Sequence, residues 1–334
     1  MKELFLNLQL FAWSEGQPGT PTVNPVNVTT QSSMSPTMKP FIDTYLLENA
    51  RETSIFTQFG KQEKMKGKKI EWRKYNTFDK ALTPLEEGVI PSGQRFGMTN
   101  IEAETTQHGD YTVLTDRLTR EAFDNVVVGA TEEMGAAMGE TYDTLTRNIL
   151  VAGNSVMYCP NGETEVTSRG SITKDCVLTP DVVNRVQTFL KKCKAPKIDG
   201  YYIAIIHPSV AYDLRASKQW EEYHKFTNVA PIYKGEIGEL HGVRFIESTN
   251  AKIWKDGETC VYATLFLGKD AFGVLNPEGE GTEMIVKRED EIGGPLNQFS
   301  TIGYKFCHGA KILYQERMVR VESGSFFGAD DEAN

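Results

Sequence analysis

Long apolar runs and closely paired cysteines are both missing from the 334 residues of this chain. The opening "LFLNLQLFA" is interrupted by Asn7 and Gln9. It is far shorter than the about 20 apolar residues that a membrane-spanning helix needs, and it makes a poor signal peptide. We therefore expect a soluble protein, made inside a cell, with no membrane partner.

The cysteines are too few and too scattered for a zinc knuckle or a disulfide framework, because both need close, paired spacing. No CxxC pair occurs, and the cysteines are Cys159, Cys176, Cys193, Cys260 and Cys307. We expect reduced thiols. Only Cys159 and Cys176 bracket a polar loop, so a bond between these two stays open.

A surplus of basic residues is also absent, since 36 Lys and Arg stand against 45 Asp and Glu, a net charge of -9. This balance argues against wrapping nucleic acid with a general basic surface, which needs clustered cations. It does not exclude lying beside DNA. The apolar fraction of 40% and the charged fraction of 24% are those of a globular protein.

Catalytic and cofactor motifs are missing as well: there is no GxxxxGK[ST], no GxSxG and no HExxH. One metal-like spacing, Glu221-x-x-His224, occurs once, whereas a di-iron bundle needs it twice. His207 ends a strand-like run in "IAIIHPSVAYDLRAS", and Pro208 begins a helix-like pattern. A catalytic role for His207 lacks a partnered nucleophile, so we favour a structural role at the helix start. No cofactor, metal or enzymatic activity is expected.

The N-terminal half has an unusual organisation. Residues 1–40 are expected to form an arm whose Pro- and Thr-rich stretch cannot build a core, and 41–60 a helix. Residues 61–117 resemble a long two-stranded ribbon, which is marginal alone in water and is more stable against another molecule. Residues 118–156 contain a proline-free helix on the order of 50 Å long, at about 1.5 Å per residue.

The C-terminal half mixes helices and strands. Residues 157–283 predict a compact α/β unit with a helix over 179–192. Residues 284–326 predict further strands, including two joined near "HGAK", and 327–334 an acidic, frayed tail.

Taken in order, several stretches resemble the major capsid proteins of tailed phages, most closely the podophage-type family common in phages and prophages of Gram-positive bacteria. They span nearly the whole chain and are "LNLQLFA", "LTREAFDNVVVGATEEMGAAMGETYDTLTRNIL", "IHPSVAYDLR", "IGELHGVRFIEST" and "IGYKFCHGAKILYQERMVRVES". The resemblance implies an α+β fold with an N-terminal arm, an extended β-ribbon loop, a peripheral domain with a long spine helix, and an axial α/β domain.

The resemblance also implies a function: self-assembly, as hexamers and pentamers, into the icosahedral shell that encloses double-stranded phage DNA. The expected partners are copies of the chain, a separate scaffolding protein, a portal protein, a possible decoration protein, and DNA contacted without sequence preference. The expected location is the virion capsid, assembled in the host cytoplasm. Two alternatives stay open: a bacterial nanocompartment shell, and a metal-dependent hydrolase using His207, Glu221 and His224.

Interface residues are then the candidate functional residues, and they fall in four groups. The arm tip has Leu6, Leu8 and Phe11; the basic ribbon base has Lys66, Lys68, Lys69, Arg73 and Lys74; the ribbon tip has Leu85, Val89 and Ile90; and an acidic run has Glu289, Asp290 and Glu291. We expect the basic base to contact acidic residues of another copy. A solvated charged face is the alternative, since exposed ion pairs contribute under about 1 kcal/mol each.

Overall fold

The computed structural model describes residues 27–30, 54–65, 69–75, 78–80, 82, 84, 87–88, 90, 93–121, 126–220, 236–256, 259–277, 282–287, 291–292, 296–328 and 331–334. Its α-helices are α1 (Asp116–Glu121), α2 (Val126–Val151), α3 (Pro180–Lys192) and α4 (Pro208–Arg215), with 3-10 turns at Phe56–Phe59, Arg169–Ser171 and Gln315–Arg317. Its strands are β1 (Asn27–Thr30), β2 (Lys61–Met65), β3 (Lys69–Tyr75), β4 (Met98–Glu104), β5 (Thr106–Thr115), β6 (Val156–Tyr158), β7 (Tyr202–Ile206), β8 (Glu236–Leu240), β9 (Val243–Glu247), β10 (Ile253–Asp256), β11 (Thr259–Leu267), β12 (Phe272–Pro277), β13 (Glu283–Lys287), β14 (Phe299–Ile312) and β15 (Met318–Ser323).

One sheet has the order β1-β5-β14-β12-β2, with β13 also beside β14. Its longest member, β14, pairs antiparallel with β5 over ten residue pairs. The strand continues through His308 and Gly309, so the predicted join near "HGAK" is wrong. A Cβ on Gly309 would lie 2.8 Å from the carbonyl oxygen of Glu104, so the glycine permits close backbone approach inside the strand rather than a turn.

The ribbon is a two-stranded sheet formed by β3 and β4, in antiparallel register from Lys69↔Glu104 to Tyr75↔Met98. It is shorter than the predicted span of 61–117. The flanking strands β2 and β5 belong instead to the β14 sheet, where β2 pairs parallel with β12. They gain continuous backbone pairing there, which an isolated two-stranded ribbon would not supply.

The second sheet has the order β6-β15-β11-β7-β9-β8, with β10 paired to β11. β7 and β11 are buried along nearly their whole length, and α3 and α4 pack their apolar residues into the same core. Two predicted boundaries need correction. β12 was expected in the 157–283 unit but pairs in the β14 sheet. β15 was expected with 284–326 but lies between β6 and β11. Each strand follows a short connection that switches sheets, and sequence pattern alone does not reveal such a switch.

The long predicted helix is described as α1 and α2, and residues 122–125 lie outside the described part. The 26 residues of α2 span about 39 Å at about 1.5 Å per residue. Its buried face is less apolar than expected. Ala130 is only partly buried, whereas the buried stripe is Thr131, Gly135, Met138, Gly139, Asp143, Thr146, Arg147, Leu150 and Val151.

A buried carboxylate attaches the segment before β2 to α2. The Oδ1 atom of Asp143 accepts the backbone N–H of Ile55 at 2.9 Å and of Phe56 at 2.7 Å, at the start of the 3-10 turn. Asn250 donates its Nδ2–H to the other carboxylate oxygen at 3.3 Å. Burial raises the pKa of the Asp143 carboxyl to about 6, against the lowering effect of these hydrogen bonds and of Arg147.

A buried ion cluster joins α2 to the second sheet. The Glu322 side chain is fully buried; Arg169 donates to it at 2.6 and 2.8 Å, and Arg320 Nε lies 2.9 Å from Oε1 as an ion pair. Arg320 Nη1 also donates to the carbonyls of Val151 and Gly153 at the C-terminal end of α2. A guanidinium here complements both the unpaired carbonyls and the negative end of the helix.

The described part of the C-terminal tail is docked, so the frayed tail predicted for 327–334 is wrong there. Asp331 accepts hydrogen bonds from Ser209 Oγ at 2.6 Å and Tyr262 OH at 2.5 Å. Asn334 accepts from the backbone N–H of Ile253 and donates to the carbonyl of Ala251, both at 3.0 Å. The acidic composition of the tail suggested that it is solvated, but these side chains form hydrogen bonds with groups of the α/β unit.

Within the arm, the structure describes only β1, and the helix predicted over 41–60 falls mostly outside the described residues. β1 pairs in parallel with β5 of the same chain, through Asn27↔Leu114 and Val28↔Thr115. This short part of the arm therefore has a pairing edge in its own chain, which its composition did not suggest. No helix in the described ranges is both long enough and apolar enough to cross a membrane.

Candidate assembly surfaces

The base of the β3–β4 ribbon is anchored to β12 by one tryptophan. The Trp72 ring lies over Gly273, where an added Cβ would come within 2.8 Å of the ring. Ile70, Ala103 and Leu275 complete this small apolar cluster. The missing side chain at residue 273 therefore allows the ribbon to lie against the sheet, and it fixes the direction in which the rest of the ribbon leaves the body.

Beyond the base, the ribbon carries an exposed aromatic patch. The rings of Tyr75 and Phe96 stack at 5.2 Å between centroids, and Phe78 lies 5.8 Å from Phe96. Their exposed fractions are 58%, 60% and 54%. Contiguous exposed apolar surface of this kind is typical of protein interaction sites.

Sequence reasoning missed this aromatic patch and pointed instead to the ribbon tip. Of the predicted tip residues, Ile90 is described and 92% exposed, whereas Leu85 and Val89 lie outside the described residues. The clue was present: "KYNTF" and "QRFG" place three aromatic residues on either side of a Pro- and Gly-bearing connection. The β3–β4 register was needed to bring them together.

The predicted basic residues at the ribbon base divide by their contacts. Lys69 forms an ion pair with Glu104 across the hairpin, and this hydrogen bond raises the pKa of the Lys69 ammonium. Lys74 places its Nζ 4.5 Å above the Tyr314 ring, and Arg73 is exposed. Lys66 and Lys68 lie outside the described residues.

Arg73 and Lys74 line a groove of about 250 Å³ between the ribbon and the body. Four cationic side chains and one acidic side chain, that of Asp270, line this groove, together with apolar and aromatic residues. We call it the basic groove, and its lining residues are Lys61, Trp72, Arg73, Lys74, Ile101, Asp270, Leu313, Tyr314 and Arg317. Its cationic surplus favours an anionic partner.

Of the acidic run, the structure describes only Glu291, which lies at another part of the molecule. Glu291 is exposed and lines a groove of about 470 Å³ with Lys287, Ile292 and Thr301. Glu289 and Asp290 precede it in the chain but lie outside the described residues. The arm-tip residues Leu6, Leu8 and Phe11 also lie outside them.

His207 sits where the sequence placed it, between β7 and α4, and its side chain caps the helix. Its Nδ1 accepts the backbone N–H of Ser209 at 3.2 Å, and burial lowers the pKa of the imidazole while Asp331 raises it. Asp331 lies 3.8 Å from the same nitrogen, a neighbouring carboxylate that sequence reasoning had not placed there.

The Ser209, His207 and Asp331 side chains nevertheless lack the relay geometry of a catalytic triad. Ser209 Oγ donates to the carboxylate rather than to the imidazole, so the imidazole is not positioned to take the hydroxyl proton. Glu221 and His224 lie outside the described residues. Among the residues that the structure does describe, no group of three His, Cys, Asp or Glu side chains is arranged to hold a metal ion.

The cysteines are free thiols. Cys159, Cys176 and Cys260 are buried, and Cys193 and Cys307 are partly buried. Burial raises the pKa of the Cys159 thiol, and the nearby Cys176 adds to this effect. The three buried thiols belong to the core of the α/β unit.

Residues 99–277 match the model of a family described as phage capsid protein. This range covers more than half of the chain, from the end of the ribbon through α2 and most of the α/β unit. The chain belongs to this family of phage capsid proteins. No curated protein matches the sequence.

Solved structures show the same fold at low sequence identity. The capsid protein of Ralstonia phage GP4 aligns with a TM-score of 0.64 at 14% identity, over 83% of this chain and 89% of that one. The cyanophage Pam1 capsid protein aligns with a TM-score of 0.64 at 12% identity, over 91% and 96%. The capsid protein of Helicobacter pylori bacteriophage KHP30 aligns at 0.56 and 8%, over 79% and 88%.

These comparisons identify the chain as a phage major capsid protein with the mixed α+β capsid fold. They favour the capsid prediction over the nanocompartment shell, and membership of a structural family gives no support to the hydrolase. The role of the protein in the virion capsid is therefore structural.

Proposed function

We propose that copies of this protein assemble, as hexamers and pentamers, into the closed icosahedral shell that encloses double-stranded phage DNA. The observation that carries the proposal is the capsid-family match across α2 and the α/β unit. The ribbon supports it further, because its aromatic patch is held away from the chain's own core. Shell contacts would cover that patch.

The arm, the ribbon, α2 with the β14 sheet, and the β11 sheet are the proposed equivalents of the capsid arm, extended loop, peripheral domain and axial domain. A separate scaffolding protein would guide assembly in the host cytoplasm, and a portal protein would occupy one vertex. A decoration protein is a possible further partner. The acidic charge of the chain argues against a dedicated DNA-binding surface, so packaged DNA would be contacted without sequence preference.

The proposal includes the absence of a catalytic centre. The imidazole of His207 is engaged by a backbone N–H at the start of α4, which supports a capping role. Purified protein should contain no stoichiometric zinc or iron. Elemental analysis showing one metal ion per chain would contradict this part of the proposal.

Expression with and without the scaffolding protein of the same phage tests shell assembly. Electron microscopy and sedimentation should reveal closed particles of uniform size when the scaffold is present. Virions should contain the chain as their most abundant protein, with DNA protected from nuclease. Soluble single subunits under both conditions, and no such protein in virions, would overturn the proposal.

A further inference from the structure

Cys159 and Cys176 lie side by side on one edge of β15. The backbone N–H of Cys159 donates to the carbonyl of Glu322 at 3.0 Å, and the N–H of Gly324 donates to the carbonyl of Cys176 at 2.9 Å. In a regular parallel pair, such as that of β6 with β15, one residue of the neighbouring strand supplies both of these groups. Here each cysteine supplies one of them, so the two residues share a single position beside the strand.

This arrangement suits a disulfide bond. Glu322 and Gly324 lie about 6.6 Å apart along the strand, at about 3.3 Å per residue, and the cysteines bonded to them are separated by a comparable distance. The Cα atoms of a disulfide lie about 4.4–6.8 Å apart. Both cysteine side chains are fully buried in the same core, and Cys176 adds to the effect of burial in raising the pKa of the Cys159 thiol, as expected of neighbouring sulfur atoms.

Gly324 allows the second cysteine to come this close. A Cβ at this position would overlap the carbonyl oxygen of Thr173 and would lie 3.2 Å from the Cα of Lys174. The same carbonyl accepts the backbone N–H of Cys176 at 3.0 Å. The missing side chain therefore seats the turn that ends at Cys176 against the end of β15.

We propose that Cys159 and Cys176 form a modification site, at which a small disulfide oxidant links them by a disulfide bond that closes the neck of the 160–175 segment. The free thiols of this structure are the reduced state of the site. Disulfide bonds form in oxidising surroundings, virion surfaces among them, so the site would be oxidised once the chain leaves a reducing compartment. The inference concerns a single subunit and does not depend on the proposed shell.

The reaction transfers two electrons and two protons from the cysteines to the oxidant, RSSR. Cys176 is the first nucleophile, because its Sγ atom accepts the backbone N–H of Thr173 at 3.3 Å, a contact that stabilises a thiolate. This thiolate attacks one sulfur of RSSR and releases RS⁻. Cys159, whose pKa is raised by burial, then gives its proton to RS⁻, and its sulfur displaces the second RS⁻ from Cys176. The products are the protein disulfide and two molecules of RSH.

The segment between the two cysteines gives the oxidant access to them. Within 160–175, only Ile172 is buried, so local opening of this segment exposes both thiols while the strands stay paired. The segment also holds Arg169, which donates to Glu322 at 2.6 and 2.8 Å and lies 3.6 Å from the centre of the Trp254 ring. Closing the neck would keep Arg169 in the buried ion cluster.

Peptide mapping of the folded, full-length subunit tests the bond directly. Trypsin cleaves between the two cysteines and leaves Cys159 in peptide 148–169 and Cys176 in peptide 175–185, so only a disulfide can join these peptides. After treatment with oxidised glutathione and blocking of the remaining thiols, mass spectrometry should find the joined pair, lighter by two hydrogen atoms than the two peptides together. Dithiothreitol should separate them.

Thermal unfolding gives a second measurement. Oxidation should raise the unfolding midpoint by about 5 °C, because the bond restricts the unfolded chain. Cys159→Ser and Cys176→Ser should each abolish this shift. Cys260→Ser should keep it and is the matched control, because Cys260 is a buried thiol of the same core but lies on β11, which β15 separates from β6. The oxidised and reduced forms of the unmodified protein need no substitution, so misfolding of a variant cannot decide the result.

Three outcomes would overturn the inference. Both cysteines could remain thiols in the oxidised, folded subunit, or the joined pair could appear only after denaturation. Glutathione could also stay attached to Cys176 without transfer of the bond to Cys159, which would show that the two sulfur atoms cannot meet. Because the measurements use isolated subunits, a failure of shell assembly would leave them unaffected.

Discussion

Asp143 makes the stability of this protein depend on pH in a direction unusual for a carboxylate. Its pKa is raised by burial to about 6 from a reference of 3.8, so the folded state holds this proton more tightly than the unfolded state does. The contribution of Asp143 therefore becomes less favourable as pH rises from about 4 to 6 and is constant above that. Its upper limit is roughly 3 kcal/mol, at about 1.4 kcal/mol per pKa unit.

Asp143→Asn isolates this effect, because the amide oxygen still accepts from Ile55 and Phe56 but no longer titrates. Relative to this variant, the unmodified subunit should lose stability between pH 4.5 and pH 6.5. Denaturant unfolding at several pH values measures the difference. A constant difference across that range would show that Asp143 stays ionised throughout.

Glu322 is the residue whose charge matters most for the junction between α2 and the second sheet. Glu322→Gln leaves Arg169 and Arg320 near each other in a buried site without their counter-charge, and removing one partner of a buried pair costs about 3–5 kcal/mol. Glu316→Gln is the control because Glu316 is exposed. Equal unfolding midpoints for the two variants would contradict the importance of the cluster.

His207 gives a smaller and chemically specific prediction. His207→Asn keeps a side-chain acceptor at the start of α4, so assembly should stay nearly normal. His207→Ala removes the cap, which costs about 1 kcal/mol. Thermal unfolding of the two variants measures the difference, and a larger loss in the Asn variant would argue against capping.

At the scale of elements, the attachment of the ribbon base depends on the absence of a side chain at Gly273 in β12. Gly273→Val places atoms where the Trp72 ring lies, so the ribbon base should detach while both sheets persist. Tryptophan fluorescence should shift to longer wavelength, and shell yield should fall. Gly93→Ala is the matched control in the connection between β3 and β4, since nothing lies within 4 Å of its added Cβ. If both variants behave alike, Trp72 does not anchor the ribbon.

The sequence predicted the positions of helices and buried strands better than it predicted which strands pair with each other. Pro180 and Pro208 marked two helix starts within one residue, because proline fits the first turn. Gly309 was misread as a turn, since a glycine that admits a neighbouring backbone and a glycine that turns the chain look the same in sequence. The switches of β12 and β15 between sheets depend on long-range pairing, which local pattern does not encode.

The candidate surfaces show the same limit. Arg73 and Lys74 were predicted from charge density alone, and both line the basic groove. Lys61 and Arg317 were missed, because they come from distant parts of the chain and meet there only in the fold. Spacing could not have revealed that Lys69 is engaged by Glu104.

At the scale of the whole molecule, the docked tail is part of the α/β unit. Removing residues 331–334 deletes the acceptors of Ser209 and Tyr262 and the contacts of Asn334 with Ile253 and Ala251. Hydrogen bonds to charged groups contribute about 1.5–3 kcal/mol each, so the truncated subunit should be less stable by a few kcal/mol. Glu332→Gln, at an exposed position, should be neutral; an unchanged unfolding midpoint after truncation would show that the tail only rests on the surface.

The position of β15 has a consequence for the order in which the protein can be made. β15 lies between β6 and β11, yet it follows both of them in the chain and leaves the ribosome after them. During synthesis, which adds about 5–20 residues per second, β6 has no neighbour to pair with and one edge of β11 stays open. Until β15 has emerged, a nascent chain therefore cannot complete its second sheet.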